Sequence, residues 1–132
     1  MEQRIKESFA RQGLMQTFGA ELTEVVSGSC EIVCEFKAGL SQQHGFFHGG
    51  VITSIADSAC GYAALTLMPE GAEVVTVEFK INFLKVANTS RLRVVGKVLQ
   101  SGRSLTVCEG CVYSEDGTLC AKMTATLMAI SP

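Results

Sequence analysis

Residues 48–67 read HGGVITSIADSACGYAALTL. On a helical wheel the apolar members of residues 50–67 spread over most of the circumference, and Gly49-Gly50 stands where such a helix would begin. A helix that is apolar nearly all round has to be covered on most of its sides. The segment therefore predicts a central helix over residues 50–67 that the remainder of the chain must wrap.

The segments on either side of this helix supply the cover. Short alternating runs predict two strands before it, and four further strands are predicted after it. The clearest run extends from Val75 to Phe83, and Ser101-Gly102 and Asp116-Gly117 are typical of hairpin turns. The expected strands are 20–26, 30–36, 75–83, 90–100, 103–114 and 118–129, with a helix at 2–17 and a loop at 37–48.

This order of elements predicts an α+β fold in which an antiparallel sheet wraps around a central helix. No repeat or linker divides the 132 residues, so we expect one domain over residues 1–132. An exposed edge or face of such a sheet favours pairing with a second copy, which predicts a dimer.

Composition and charge exclude several classes of protein. A formal net charge of -2 argues against nucleic-acid binding. Residues 1–7 lack the hydrophobic region of a signal peptide, and polar residues interrupt the apolar stretch 51–68. We therefore expect a cytoplasmic protein without a membrane span.

The six cysteines are expected to be reduced thiols, since no export signal is visible. Cys108 and Cys111 form a Cys-x-x-Cys, but they lie in a predicted strand, where residues three apart point to opposite faces. No second such pair follows at zinc-ribbon spacing. The sequence thus predicts no metal site and no cofactor.

Asp57 is the one carboxylate of the central helix. An ionised carboxylate among apolar side chains is costly unless it is paired or wetted. Asp57 either belongs to a buried hydrogen-bond network or faces water at an interface, or it is a general base or nucleophile in a cleft, the role we favour. The residues on the same face of the helix as Asp57 are all small: Thr53, Ser54, Cys60, Gly61 and Ala64. Small side chains let another backbone or a thin ligand approach closely.

Gly49 and Gly50 place free backbone N–H groups at the helix N-terminus, where the helix dipole favours negative charge. Such donors can form an oxyanion hole for a tetrahedral intermediate. The alternative is that the two glycines only make the bend from loop to helix. Gln42, His44 and His48 add polar side chains before the helix, although His44 has the weaker claim and could serve only to cap the loop.

Gln42, His48-Gly49-Gly50, Asp57 nine residues after the histidine, and Thr76 in a long strand together form a pattern. This pattern resembles the hotdog-fold acyl-CoA thioesterases, and within them the PaaI-like branch named after phenylacetate degradation. The Gly102-Arg103-Ser104 turn also looks like the glycine-arginine hairpin of that family. The resemblance extends over nearly the whole chain and implies a hotdog fold.

The resemblance also implies roles for these residues. Asp57 would activate water or attack the thioester carbonyl, the backbone N–H of Gly49 would polarise that carbonyl, and Thr76 would hold the water or the carboxylate. His48 and Gln42 would position the thioester and its loop. Gln42, His48 and Gly49 would come from one subunit and Asp57 and Thr76 from the other, in a homodimer that often pairs into a tetramer.

One position departs from the PaaI-like pattern, since Gln42 stands where an asparagine is common. Glutamine there is typical of a neighbouring branch that has glutamate on the helix, whereas this chain has Asp57. The acyl preference, aryl or fatty, therefore stays open at this point.

Candidate contacts to the rest of an acyl-CoA follow from charge and shape. Arg103, Lys85 and Arg91 are cations that could meet the phosphates of coenzyme A, with solvated surface charge as the alternative. Gly50 would help to bind the thioester, and Phe47 could line the acyl pocket, although hydrophobic packing explains Phe47 about as well.

Two other functions fit the same fold. A non-catalytic acyl-CoA sensor would bind CoA esters without turnover, and Asp57 beside the two glycines argues against it. A hydratase or dehydratase would have a His-x-x-Gly-Arg-Pro loop, where this chain has Phe47-His48-Gly49-Gly50. The sequence therefore favours hydrolysis of a thioester, which needs little protonation of its thiolate leaving group.

Overall fold

A computed structural model describes residues 1–131 and shows an antiparallel sheet of six strands around one long helix. The helices are α1 (Glu2–Ala10), α2 (Gly13–Phe18) and α3 (Gly49–Leu65), with a 3-10 turn at Ala38–Leu40. The strands are β1 (Glu21–Val26), β2 (Ser29–Glu35), β3 (Glu73–Phe83), β4 (Arg91–Ser101), β5 (Leu105–Tyr113) and β6 (Leu119–Ile130).

The predicted α+β architecture is confirmed. The strands lie in the order β1-β2-β4-β5-β6-β3, and each neighbouring pair is antiparallel. Helix α3 packs against the concave side of this sheet, and ten of its 17 residues are buried. Alternate residues of the central strands point inward, so that Leu92, Val94, Val112, Met123 and Leu127 form the core beneath the helix.

Three predicted elements, the helices at 2–17 and 50–67 and the strand at 103–114, differ in detail from the structure. The predicted helix over 2–17 is two helices, because Gln12 between them has extended backbone angles, φ -78° and ψ 103°. The predicted helix over 50–67 begins one residue earlier and ends at Leu65. The predicted strand over 103–114 begins at Leu105, since the tight turn after Ser101 takes up Gly102, Arg103 and Ser104. The predicted C-terminal limit of the domain, residue 132, lies outside the described residues.

The N-terminal helices are fastened to the far end of α3. The Arg4 guanidinium donates to the backbone oxygens of Leu65 and Met68, both at 2.6 Å, and of Pro69 at 2.9 Å. Leu65 is the last residue of α3, and Met68 and Pro69 follow it. Of the three carbonyls only that of Met68 accepts no backbone N–H within residues 1–131, so the Arg4 cation satisfies it and complements the helix dipole. Within residues 1–131 no helix is both long and apolar enough to cross a membrane.

Two glycines let α3 lie close to the sheet. Gly96 in β4 pairs with Gly110 in β5, directly under the helix. A Cβ on Gly96 would collide with the backbone carbonyl of Ala59 and would lie 2.8 Å from the amide nitrogen of Cys60. The small residues on this side of α3 and the two glycines together set the distance between helix and sheet.

We expect Gly96→Ala to destabilise the protein by about 1–3 kcal/mol, because the added methyl group would force helix and sheet apart. The urea midpoint of unfolding measures this effect. Gly13→Ala is the matched control, since a Cβ on Gly13 has no neighbour within 4 Å. Equal midpoints for Gly96→Ala and the wild type would contradict the packing described here.

Candidate active site

His48 forms the N-cap of α3 through its own side chain. Its Nδ1 accepts a hydrogen bond from the backbone N–H of Gly50 at 2.7 Å, and its carbonyl accepts from Val51 and Ile52. The N–H of Gly49, by contrast, donates to no group within residues 1–131. The predicted oxyanion donor Gly49 therefore has a free N–H at the positive end of the helix, whereas that of Gly50 is occupied.

Gln42 organises the loop before α3. The side-chain Oε1 of Gln42 accepts from the backbone N–H of His44 at 2.6 Å and of Phe46 at 3.1 Å. The backbone N–H of Gln42 donates to the Phe46 carbonyl. Gly45 closes this turn with a φ of 85°, a conformation that glycine adopts without strain. The Oε1 of Gln42 is thus hydrogen-bonded within the loop, and its Nε2 group is the part of the side chain that can bind a ligand.

A cleft of about 340 Å³, here called the Gly49 cleft, lies beside this loop. Four of the predicted residues line it together: Gln42, Phe47, Gly49 and Lys85. Its other lining is apolar, from Phe46, Ile52, Phe83, Leu84, Val86 and Ala87. Phe47 is 3% exposed and packs edge-on against the ring of Phe36, so it is mainly a core residue that forms the floor of the cleft.

A second cleft of about 270 Å³, here called the Asp57 cleft, lies between α3 and β3. Asp57 is half-buried there, and its Oδ1 accepts a hydrogen bond of 2.7 Å from the Thr76 hydroxyl. The other carboxylate oxygen accepts no hydrogen bond from residues 1–131. Thr76 therefore orients the carboxylate and leaves one of its oxygens available to a reacting group.

One chain does not bring the free donor and the carboxylate together. Gly49 and Asp57 are eight residues apart on one helix, which separates their backbones by about 12 Å along the helix axis. The Gly49 and Asp57 clefts share no lining residue. A carbonyl group held at hydrogen-bond distance from the Gly49 N–H is thus out of reach of the same chain's Asp57.

The two predicted arginines lie away from both clefts. Arg91 is at the start of β4, where its Nε is 3.7 Å from a carboxylate oxygen of Glu35. Arg103 lies in the β4–β5 turn and lines a separate cleft with residues 69–72 and the end of β6. Of the three predicted phosphate-binding cations, only Lys85 lies in the Gly49 cleft.

Four polar residues of the Asp57 cleft were not predicted from the sequence: Ser8, Gln12, Ser58 and Tyr62. The hydroxyl of Tyr62 accepts from Gln12 Nε2 at 2.8 Å and lies 3.1 Å from the Ser8 hydroxyl. Ser58 donates to the Gln12 Oε1 at 3.3 Å. No local signal marks Ser8 or Gln12, because only the docking of α1 and α2 on α3 brings them to the cleft.

The cysteines are core residues in this fold. Burial raises the pKa of the Cys34 thiol to about 11 and that of Cys30 and Cys108 to about 12. Such thiols are protonated at neutral pH and are poor nucleophiles. Cys108 is buried and Cys111 half-buried, and no group of three or more His, Cys, Asp or Glu residues within 1–131 could hold a metal ion.

Similarity to known proteins identifies the class to which this chain belongs. The profile of the thioesterase superfamily matches residues 44–121, which include α3 and most of the sheet. A provisionally named esterase of Saccharolobus solfataricus is 31% identical over 122 residues, 92% of this chain and 81% of its own. The chain therefore belongs to the thioesterase superfamily, and it is a thioester hydrolase.

Solved structures define the fold further. A thioesterase-family protein of Silicibacter pomeroyi is 45% identical and superposes with a TM-score of 0.96 over 99% of this chain and 98% of its own. The PaaI protein of Escherichia coli, from the phenylacetic acid degradation operon, superposes with a TM-score of 0.90 over 98% of this chain and 92% of its own. Its 19% identity supports the fold alone. The predicted hotdog fold is confirmed.

Proposed function

We propose that this thioesterase hydrolyses an acyl-CoA, aryl or fatty, to the free acid and CoA. Asp57 is the general base or nucleophile, and the N–H of Gly49 is the oxyanion donor. One observation carries the proposal: α3 has a free backbone donor at its N-terminus and a carboxylate, oriented by Thr76, about two turns later.

The chemistry follows from these two groups. The thioester carbonyl oxygen accepts from the Gly49 N–H and from the Gln42 amide, which stabilises the negative charge that develops on that oxygen. The free oxygen of Asp57 takes a proton from an attacking water or attacks the carbonyl carbon itself. The carbon–sulfur bond then breaks, and the thiolate leaves as a fairly stable anion. With water as the nucleophile the free acid forms directly, whereas attack by Asp57 leaves the acyl group on it as a mixed anhydride, which water then hydrolyses to the free acid and the Asp57 carboxylate. This route needs no metal and no cofactor.

His48 supports the reaction by shaping the bend rather than by transferring a proton. Its Nδ1 is occupied by the N–H of Gly50, and this hydrogen bond fixes the orientation of the neighbouring Gly49 N–H. His48 and Gly50 thus position the oxyanion donor.

The complete site is proposed to form between two copies of the chain. Strand β3 is an edge strand, and Val75, Val77, Phe79 and Phe83 are exposed on it. An edge strand with apolar side chains favours pairing with another strand. Antiparallel pairing of two β3 strands about a two-fold axis would place the Phe83 end of one beside the Glu73 end of the other.

This pairing would join the two clefts. Phe83 lines the Gly49 cleft, whereas Glu73 and Thr76 line the Asp57 cleft. The oxyanion donor of one protomer would then face the carboxylate of its partner. The dimer would thus bring together two groups that are too far apart within one chain. We further propose that two dimers pair into a tetramer, as the PaaI-like resemblance implies.

Coenzyme A as the thiol carrier has independent support. A 1,4-dihydroxy-2-naphthoyl-CoA hydrolase of Listeria monocytogenes is 26% identical over 97 residues, 74% of this chain and 79% of its own. Lys85 in the Gly49 cleft supplies a cation for a CoA phosphate, and Arg91 and Arg103 would reach the nucleotide only if the partner subunit brought it near them. We propose a cytoplasmic location, where the six thiols stay reduced, and no nucleic-acid partner.

Thiol release from acetyl-, hexanoyl-, palmitoyl- and phenylacetyl-CoA tests the function. We expect CoA to be released from at least one of these esters, with the free acid as the second product by mass spectrometry. Binding of the esters without release would instead support the non-catalytic sensor. If the folded protein neither binds nor hydrolyses any of these esters, the assignment to acyl-CoA is wrong.

A further inference from the structure

Phe83 is an aromatic residue that faces the concave side of the sheet and yet stays largely exposed. It is the last residue of β3 and pairs with Ala121 of β6, which is fully buried. Cross-strand partners point to the same face of a sheet, so the Phe83 side chain points toward α3. It is nevertheless 53% exposed. Core packing alone thus does not explain a phenylalanine at this position.

The ring of Phe83 lies against the glycine that has the free N–H. Its Cζ and Cε1 atoms are 3.4 and 3.5 Å from the position that a Cβ on Gly49 would occupy. Apart from the chain neighbours of Gly49 and the backbone of α3, no other heavy atom of residues 1–131 comes within 4 Å of that position. Phe83 is therefore the residue, distant in the chain, that covers this side of the half-buried Gly49.

The backbone on both sides of Phe83 holds the ring in place. The pairing of β3 with β6 extends to Phe83 itself. The next two backbone N–H groups, of Leu84 and Lys85, both donate to the carbonyl of Cys120, at 2.7 and 3.1 Å, and Cys120 is buried. The strand end is thus fixed before any ligand binds, as preorganised stabilisation of a transition state requires.

A phenyl ring suits this position because it excludes water without occupying the donor. It has no oxygen or nitrogen that could accept a hydrogen bond from the Gly49 N–H. A polar side chain here could satisfy that donor, as the Nδ1 of His48 satisfies the N–H of Gly50. Water beside the donor would screen its charge, whereas a dry surrounding strengthens its hydrogen bond to a negative oxygen.

We propose that Phe83 is the water-excluding cover of the oxyanion donor, and that its ring, packed on Gly49, strengthens the hydrogen bond from the Gly49 N–H to the thioester oxygen in the transition state. This inference rests on the proposed acyl-CoA hydrolysis and adds a positioning residue from β3 to it. Phe83 transfers no proton. Because the carbonyl oxygen is most negative in the transition state, the contribution of Phe83 belongs to kcat rather than to KM.

Phe83→Ala and Phe83→Leu test the cover with the acyl-CoA that the wild type hydrolyses fastest. We expect the alanine variant to lower kcat about tenfold with KM within about threefold, because water reaches Gly49 while the donor itself remains. The leucine variant restores an apolar side chain and should keep kcat within about threefold of the wild type. An equal loss of kcat in both variants, or a change confined to KM, would overturn the proposal.

Phe79→Ala is the matched control. Phe79 lies on the same strand, pairs with the buried Ala125 and so faces the same side as Phe83, and it is 44% exposed. It does not line the Gly49 cleft, and its replacement should leave kcat within about threefold of the wild type. A loss as large as that of Phe83→Ala, or a shift of Phe83→Ala to monomers on size-exclusion chromatography, would trace the effect to strand or dimer packing and overturn the proposal.

Raman difference spectroscopy of a bound thioester measures the polarisation of its carbonyl group without turnover. In the Asp57→Asn background the C=O stretch should lie at lower frequency than in free acyl-CoA, because the Gly49 N–H draws charge onto the oxygen. Adding Phe83→Ala should reverse part of this shift, and adding Phe83→Leu should preserve it. An unchanged frequency with Phe83→Ala would make Phe83 a structural residue and overturn the proposal. If the wild type releases no CoA from any ester, the proposed function itself fails, which is a distinct result.

Discussion

Asp57→Asn is expected to lower kcat for acyl-CoA hydrolysis by about a hundredfold to ten-thousandfold, the usual contribution of a positioned general base. The asparagine carbonyl can still accept the hydrogen bond that Thr76 donates at 2.7 Å, so the local structure should persist. What the variant loses is the negative oxygen that takes the proton of water or attacks the carbonyl carbon. Thiol release at saturating substrate measures the change.

Asp116→Asn is the matched control for this variant, since Asp116 is the only other aspartate of the chain. It lies in the turn before β6, where hydrogen bonds from the Ser114 hydroxyl and the Thr118 N–H lower the pKa of its carboxyl to about 2. Its replacement should leave turnover near that of the wild type. Wild-type turnover in Asp57→Asn, with an unchanged circular dichroism spectrum, would remove Asp57 from the mechanism.

Gly49→Pro is expected to lower kcat by about a hundredfold to a thousandfold, because proline has no N–H and the oxyanion donor is lost. The helix should tolerate the change, since proline is favoured at the first helical position. His48 has a φ of -67° and a ψ of 138°, which suit a residue before proline. The hydrogen bonds that begin the helix go to the His48 carbonyl and do not involve the Gly49 N–H.

Gly49→Ala separates the loss of the donor from the bulk of a side chain. A Cβ at this position lies 3.4 Å from the ring of Phe83, an ordinary contact, and the N–H is retained. We expect its kcat within a few-fold of the wild type. Similar large losses in the alanine and proline variants would show that space, rather than the N–H group, matters at residue 49.

These two variants also test whether the site is shared. In a two-fold dimer of one Asp57→Asn and one Gly49→Pro chain, one site would combine the intact Gly49 of the first with the intact Asp57 of the second. Mixed dimers, isolated through two different affinity tags, should recover about half of the wild-type activity per dimer. No recovery would place donor and carboxylate of each site in a single chain.

The sequence by itself determined the elements and the chemistry-bearing residues. Residues 50–67 are apolar nearly all round, and a helix of that kind is stable only when other elements cover most of its sides. Strict alternation from Val75 to Phe83 determined a strand, because side chains of a strand alternate between its two faces. Asp57 was conspicuous for a related reason, since it is the single carboxylate of a buried helix.

The tertiary structure alone decided how these residues are arranged. The break at Gln12 is accompanied by hydrogen bonds of its side chain with Tyr62 and Ser58, residues that are 46 to 50 positions away in the chain. The importance of Gly96 likewise depends on the backbone of Ala59, which packs directly over it. A sequence pattern predicts local geometry, whereas contacts between distant segments depend on how whole elements dock.

The separation of the Gly49 and Asp57 clefts also depends on how whole elements dock. The sequence placed Gly49 and Asp57 on one helix, and its pattern resembled a shared active site. The folded chain then directed the Gly49 N–H to the loop of Gln42 and the Asp57 carboxylate to Thr76, on different parts of the surface. Helical periodicity gives the direction of each group from α3, but the loop and the strand that meet each group are set only when the sheet wraps around the helix.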